Sequence, residues 1–250
     1  GSWSEARAIN NAGQVVGYSN FDPAGGPYDN RYHAFLLSDG AMTDLGTLGG
    51  QDSMAYDIND RGQVVGWAAT GTGGPSGIGA RHAFLWENGV MTDLTPDLVW
   101  GGEASAINTA GSIVGKGRLI EGSTAWYPLA WRAGLMIPLK MMAGTYEGWA
   151  TDINDIEQIV GTLYLNAGRG DRAVLWEEDK PYDLNSLVDF PAGSDWILRY
   201  AAGINNSGQI IASDYVGHQF LLTPVPEPAS ILLLAASMAS ILRRRRGTGA

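Results

Sequence analysis

The sequence predicts an all-β protein assembled from five copies of one antiparallel sheet, and three observations carry that expectation. The first is a recurring stretch, clearest as Ala55-Tyr56-Asp57-Ile58-Asn59-Asp60-Arg61-Gly62-Gln63-Val64-Val65-Gly66. Its Ile-Asn pair returns as Ile9-Asn10, Ile58-Asn59, Ile107-Asn108, Ile153-Asn154 and Ile204-Asn205. The spacings of 49, 49, 46 and 51 residues fall in the range of propeller-type repeats. The second is that each copy divides into short β-type runs broken by turn residues. The third is glycine, 35 of 250 residues without a three-residue period, which reads as punctuation between strands. Together they predict a five-bladed β-propeller of four-stranded antiparallel blades over residues 1–223, with 46–51 residues per repeat.

In the second copy the four runs are Ser53 to Asn59, Gln63 to Trp67, His82 to Trp86 and Val90 to Leu94. The first run of every copy places a small residue, Ala6, Ala55, Ala104, Ala150 or Ala201, four positions before its Asn, as an inner strand crowded near a propeller axis requires. The turn that follows is Asn-x-x-Gly, in which the Asn side chain caps the turn and Gly supplies a positive φ. The fourth copy reads Asn154-Asp155-Ile156-Glu157, without that Gly, which predicts a different turn there. The second run, Gln63-Val64-Val65-Gly66 and its counterparts, carries a β-branched pair suited to a strand buried on both faces. The third run brings large residues, such as Phe84 and Trp86, into the widening wedge between blades.

The connections between second and third runs vary from Tyr18 to Tyr32 in the first copy to Ser213 to Gly217 in the last. They emerge on the same face as the links between blades, which makes that face the expected place for binding. Trp67, Trp100, Tyr146, Trp149 and Trp196 fall in or beside these segments and are the candidate binding-face aromatics. The final copy runs out of residues before a fourth strand, so its blade is expected to be incomplete, with three strands and an open edge. The chain begins at Gly1-Ser2-Trp3-Ser4-Glu5-Ala6, and the expectation is that a signal peptide lies upstream together with a strand that completes the outer edge of the last blade and ties the two ends together.

Composition narrows the function. Of the 16 basic residues four are Arg243 to Arg246, so residues 1–228 carry 12 basic against 26 acidic residues, a net of −14. Such a body is a poor partner for nucleic acid. There is no cysteine, which removes disulfides and thiolate metal sites. Asp57-Ile58-Asn59-Asp60-Arg61-Gly62 starts like a calcium loop, but Arg61 occupies a ligand position and Ala68 stands where a closing Glu belongs. His33, His82 and His218 share one slot of the repeat, so symmetry spreads them around the axis, and packing or a hydrogen bond is their expected role. Asp44, Asp93 and Asp183 likewise share a slot and are expected to serve the fold.

No cofactor is expected, and the chain is read as a non-catalytic binding or structural module. The alternative is a glycan-active hydrolase, for which Asp57 and Asp152, both beside the inner-strand Asn, are the pair to consider as acid and base.

The succession of Ala-x-x-Ile-Asn, Gly-Gln-Val-Val-Gly, His-Ala-Phe-Leu and Thr-Asp-Leu-Gly-Thr-Leu-Gly-Gly resembles the HAF repeats of bacterial extracellular proteins. His33-Ala34-Phe35 and His82-Ala83-Phe84 carry the tripeptide that names them. That resemblance implies a propeller of undefined activity. The tail is Val225-Pro226-Glu227-Pro228, an apolar run at 229–242, then Arg243, Arg244, Arg245 and Arg246. It resembles a PEP-CTERM sorting signal over 224–250. This second resemblance implies an exported Gram-negative protein, recognised and cleaved near Pro226, Glu227 and Pro228 by a transpeptidase or protease of the exosortase type.

A helix of those 14 apolar residues would rise about 21 Å, short of a hydrocarbon core of about 30 Å, so it reads as a transient span of the inner membrane. The four arginines would hold that end in the cytoplasm. The expected location is therefore secreted or at the cell surface, with an exopolysaccharide or a surface protein as the partner.

Overall fold

In the computed structural model the chain forms five antiparallel sheets that follow one another in sequence order. The structure describes residues 3–20, 31–71, 80–98, 101–165 and 170–225. The first sheet is β1 (Ser4–Ile9), β2 (Val15–Asn20), β3 (Tyr32–Ser38) and β4 (Ala41–Asp44). The second is β5 (Gly49–Ile58), β6 (Val64–Thr70), β7 (Arg81–Glu87) and β8 (Val90–Asp93). The third is β9 (Gly102–Ile107), β10 (Ile113–Gly117), β11 (Tyr127–Arg132) and β12 (Leu135–Pro138). The fourth is β13 (Thr145–Ile153), β14 (Ile159–Leu165), β15 (Asp171–Glu177) and β16 (Lys180–Asp183). The fifth has three strands, β17 (Tyr200–Ile204), β18 (Ile210–Ser213) and β19 (Gln219–Leu222), as the sequence predicts. The helix expected at 229–242 lies outside the described residues, as do Pro226, Glu227, Pro228 and Arg243 to Arg246.

Each inner strand carries one extra residue at the same slot: Arg7, Tyr56, Ser105, Thr151 or Ala202 has no partner in the register with the second strand. A bulge of this kind bends the strand and sharpens its twist. In the first four sheets a main-chain carbonyl of the inner strand approaches the residue after the β-branched pair closely enough to require glycine. A Cβ on Gly17, Gly66, Gly115 or Gly161 would drive into the carbonyl oxygen of Glu5, Met54, Glu103 or Trp149. The fifth sheet has Ala212 at this slot.

The repeated Asn ties each sheet to the next. Its Oδ1 accepts the N–H four residues on, as Asn10 does from Gln14 at 2.9 Å, which closes the turn. Its Nδ2 donates across the interface to the main-chain oxygen of the next Asn. The bonds run Asn10 to Asn59 (3.1 Å), Asn59 to Asn108 (3.0 Å), Asn108 to Asn154 (3.2 Å) and Asn154 to Asn205 (3.1 Å). Buried main-chain carbonyls need such partners, so one amide per repeat satisfies the turn and the interface together.

The turn expected to differ does not. Glu157 adopts φ 65° where the other copies have Gly, and its N–H still reaches the Asn154 carbonyl at 3.2 Å. The strain at this non-glycine position is offset by contacts Gly cannot make: the Glu157 carboxylate accepts from Asn108 Nδ2 at 2.9 Å and Arg132 Nε at 2.8 Å.

Apolar cores fill the four spaces between consecutive sheets. Val16, Ala34 and Leu36 of the first sheet meet Ala55, Ile58, Val64 and Phe84 of the second, and the same slots meet at the other interfaces. Ala55, Ala104, Ala150 and Ala201 are buried because they press against the preceding sheet. The row is an arc, not a closed ring, among the described residues. Ile9 is 67% exposed, whereas Ile58, Ile107, Ile153 and Ile204 are 5–9% exposed. At the other end Ile211 is 50% exposed, whereas Val16, Val65, Val114 and Val160 in its slot are fully buried.

Candidate binding face

Because strand directions alternate, the starts of the inner strands, the ends of the second strands and the starts of the third share one face with the links between sheets. Long side chains gather there. Trp3, Tyr18 and Tyr32 pack with ring centres 5.3–5.7 Å apart at the first sheet. Arg7 lies 5.4 Å from the Tyr18 ring and 5.9 Å from that of Tyr56, and it pairs with Glu5 at 2.9 Å. Trp67 Nε1 donates to the Tyr56 hydroxyl at 3.0 Å, and the Arg81 guanidinium stacks 4.2 Å above the Trp67 ring.

The series continues across the third sheet. Lys116 pairs with Glu103 at 3.1 Å and lies 4.9 Å from the Trp126 ring and 5.3 Å from that of Trp149. Arg118 lies 4.6 Å from Trp126, and Trp149 packs 4.7 Å from Tyr164. The Tyr200 hydroxyl then donates to Asp171 at 2.6 Å. Ring and cation contacts thus run from the first sheet to the fourth, and the Tyr200–Asp171 bond joins the fifth. Such contacts are each worth about 0.5–2 kcal/mol, and they hold aromatic faces in fixed orientations.

Of the five aromatics expected on this face, Tyr146 and Trp196 are exposed and Trp149 is half-buried. Trp67 is a correction: it is 2% exposed, and its indole forms the floor beneath Arg81 rather than a contact surface. Trp100 lies outside the described residues. Trp3, Tyr32, Trp126 and Tyr164 were not singled out by sequence reasoning. A signal for Tyr18 existed: it follows Val15-Val16-Gly17 as Trp67 follows Val64-Val65-Gly66.

The two acids considered as a catalytic pair sit at one slot of alternate sheets and are partly buried. Asp57 accepts the N–H of Ile58 at 2.8 Å and that of Ile107, in the next sheet, at 2.8 Å. Asp152 does the same with Ile153 at 2.8 Å and Ile204 at 2.7 Å. Burial raises both carboxyl pKa values, and that of Asp57 reaches about 6, with the charge of Asp152 a minor contributor. All four carboxylate oxygens therefore serve inner-strand N–H groups of the second to fifth sheets.

The repeated histidines and aspartates pair with each other. His33 Nδ1 lies 2.9 Å from Asp44, and His82 Nδ1 lies 2.7 Å from Asp93. His218, in the sheet without a fourth strand, takes Asp214 of the preceding loop instead, at 2.6 Å. Arg172 replaces histidine opposite Asp183, at 3.4 Å. Asp44, Asp93 and Asp183 also cap the link to the next sheet, accepting from the N–H of Gly46, Thr95 and Asn185. On the opposite, hairpin face a cleft of about 780 Å³ is lined by Glu157, Glu177, Glu178 and Asp179. Arg132 in that cleft is held by Glu157 and Asp179 at 2.8 Å each, which leaves the cleft net negative. Asp60 of the loop compared with calcium sites accepts from the Asn11 N–H and amide at 2.9 and 2.7 Å.

Comparison with known proteins fits this class of fold. The arc is similar to the β-propeller domain of the Trilobed protease from Pyrococcus furiosus, described as having an open velcro topology. The TM-score is 0.52 at 12% identity, over 78% of this chain and 55% of that one, so this chain spans about half the length of its neighbour. A candidate gluconolactonase aligns over 89% of this chain and 74% of its own, with TM-score 0.45 and 10% identity, too distant to carry an argument. No curated protein matches the chain. Residues 224–246 match the PEP-CTERM protein-sorting motif, which indicates export, sorting to the surface or beyond, and recognition by a processing enzyme of the exosortase type.

Proposed function

We propose that this protein is an exported, cell-surface or matrix-associated binding module of the HAF-repeat kind, which presents the aromatic and cationic face to a carbohydrate or protein partner and performs no chemistry on it. The observation that supports this reading is the run of ring and cation contacts from Trp3 to Tyr164, combined with the sorting motif at 224–246. Flat aromatic faces bury the apolar faces of sugars, and the flanking Arg and Lys donors supply hydrogen bonds. In this reading the apolar run at 229–242 passes the inner membrane transiently, and the protein is released or attached by exosortase-type cleavage.

A glycan array probed with the full chain tests the ligand class. Replacing Trp149 or Trp3 by Ala should weaken any captured glycan about three- to tenfold, as loss of one stacking contact predicts. Capture that survives both replacements would sink the binding face. Replacing Glu227, or deleting Arg243 to Arg246, should leave unprocessed protein in cells that possess the sorting enzyme, visible as an unchanged mass.

The second reading, a glycan-active hydrolase, draws on the Asp57 pKa of about 6, which suits a general acid. Hydrolysis of a captured glycan that Asp57→Asn abolishes would favour it. Product release unaffected by that change would remove its motivation.

A further inference from the structure

At each of the four internal interfaces the same two surfaces meet. The outgoing surface carries the second β-branched residue of the pair and the third-strand residue opposite it, as Val16 and Leu36 do in the first sheet. The incoming surface carries the inner-strand Ala and Ile together with a third-strand ring, as Ala55, Ile58 and Phe84 do in the second. The arc ends with one of each uncovered. On the fifth sheet Ile211 and Leu221, paired across β18 and β19, are 50% and 65% exposed. On the first sheet Ile9, beside the repeated Ile58, Ile107 and Ile153, is 67% exposed, and Met42, 54% exposed, lines a hollow of about 200 Å³ with His33, Phe35 and Asp44. In the second sheet the matching Phe84 and Met91 pack instead against the core shared with the first.

The polar ladder ends in the same two places. The Asn10 carbonyl accepts the Gly13 N–H of its own turn, whereas Asn59, Asn108, Asn154 and Asn205 each also accept an amide from the preceding sheet. Asn205 Nδ2 donates to Gln209 within its own turn, whereas the other four each also reach a following sheet. Exposed apolar residues of this size and grouping mark an interaction surface.

We propose that the space between the fifth and first sheets is a docking slot for one further sheet of this same repeat. Its inner strand lays an Ala and an Ile against Ile211 and Leu221, as Ala55 and Ile58 lie against Val16 and Leu36. Its outgoing surface fills the hollow at Phe35 and Met42 and covers Ile9. Its Asn accepts from Asn205 and donates to Asn10, which joins the ladder into a ring. A lone added strand on β19 would cover an edge but neither flank, so the occupant is a sheet. What specifies it is continuity with the four interfaces already formed, and the inference rests on none of the ligand reading above.

The test compares the full chain with one carrying an added copy of residues 47–101 ahead of Ser4, so that the link between sheets keeps its length, each with and without Ile211→Asp. The added sheet should raise the melting temperature by about 5 °C or more, since two interfaces form, and should slow amide exchange in β1 and β18. Ile211→Asp should shift the parent chain by less than about 1 °C, because the residue is solvated, and should cancel most of the gain in the extended chain. An extended chain with unchanged melting and exchange would overturn the proposal. So would a parent chain that Ile211→Asp destabilises as strongly as Val114→Asp, because the flanks would then already meet. Sedimentation of the parent as a dimer that Ile211→Asp dissolves would assign the flanks to a second copy instead.

Discussion

The hairpin rim and the loop face of this arc are built from the same five repeats, yet one is periodic and the other is not. On the rim, Asn10, Asn59, Asn108, Asn154 and Asn205 make the same turn contacts, and four of them make the same bond to the next sheet. On the loop face, the slot after the repeated Gly or Ala212 holds Tyr18, Trp67, Lys116, Thr162 and Ser213. The difference teaches where each kind of constraint lies. A residue that must satisfy a neighbouring repeat's main chain is fixed in every copy, whereas one whose partners are side chains differs with them, as Trp67 beneath Arg81 and Lys116 beside Glu103 do.

The largest effect that sharpens this comparison is expected at the bulge glycines. Gly66→Ala drives a Cβ into the Met54 carbonyl, so it should cost about 3 kcal/mol or more and lower the melting temperature by roughly 6–12 °C. The reverse change in the fifth sheet, Ala212→Gly, should cost only about 1 kcal/mol, the loss of one buried methyl plus chain entropy. Equal costs at the two sites would show that the carbonyl approach does not decide the residue.

Next comes the ladder. Asn108→Ala removes the bonds to Ser112 N–H, to the Asn154 carbonyl and to Glu157, and should cost about 3 kcal/mol in chemical denaturation. Asn205→Ala removes only contacts within its own exposed turn and should cost about 1 kcal/mol. A reversed order would break the claim that the amide matters chiefly as a link between sheets.

Asp57 gives a pH signature of intermediate size. Burial raises its folded pKa to about 6 from 3.8, so its contribution is fully present below pH 3.8 and is lost as pH rises through 6. The loss is on the order of 2–3 kcal/mol at neutral pH. Asp57→Asn keeps one acceptor oxygen and no charge, so its stability should fall less than that of the parent between pH 4 and 7. Parallel pH profiles for the two proteins would argue that Asp57 is not buried as described.

The smallest effects on stability are expected on the loop face. Tyr146→Ala removes a side chain that is 44% exposed and should change stability by about 0.5 kcal/mol or less, and Trp3→Ala, which also gives up its ring contacts to Tyr18 and Tyr32, by about 1 kcal/mol. Their effect should appear in ligand binding instead, which calorimetry with an array-selected glycan would measure.

Much of this was legible from spacing. The Ile-Asn period located every inner strand, and the missing fourth run of the last copy matched the three-stranded fifth sheet. Trp67 was misplaced because its position before a long connection says where the chain leaves the sheet, not which way the indole turns. The turn at Glu157 was misjudged for a related reason: Arg132 and Asn108, far away in sequence, hold a conformation that local propensity disfavours. Trp3, Trp126 and Tyr164 went unnoticed because no shared slot connects them; only the meeting of different sheets does.

By itself the sequence determined the repeat, its strands and the sorting motif, because each depends on residues close together along the chain. Tertiary structure alone decided that the five sheets form an open arc among the described residues, that Asp57 and Asp152 join sheets, and that rings from separate repeats share one face. Those outcomes depend on how interfaces stack around an axis, and Ile9 reads the same as Ile58 in sequence although one is 67% exposed and the other 5%.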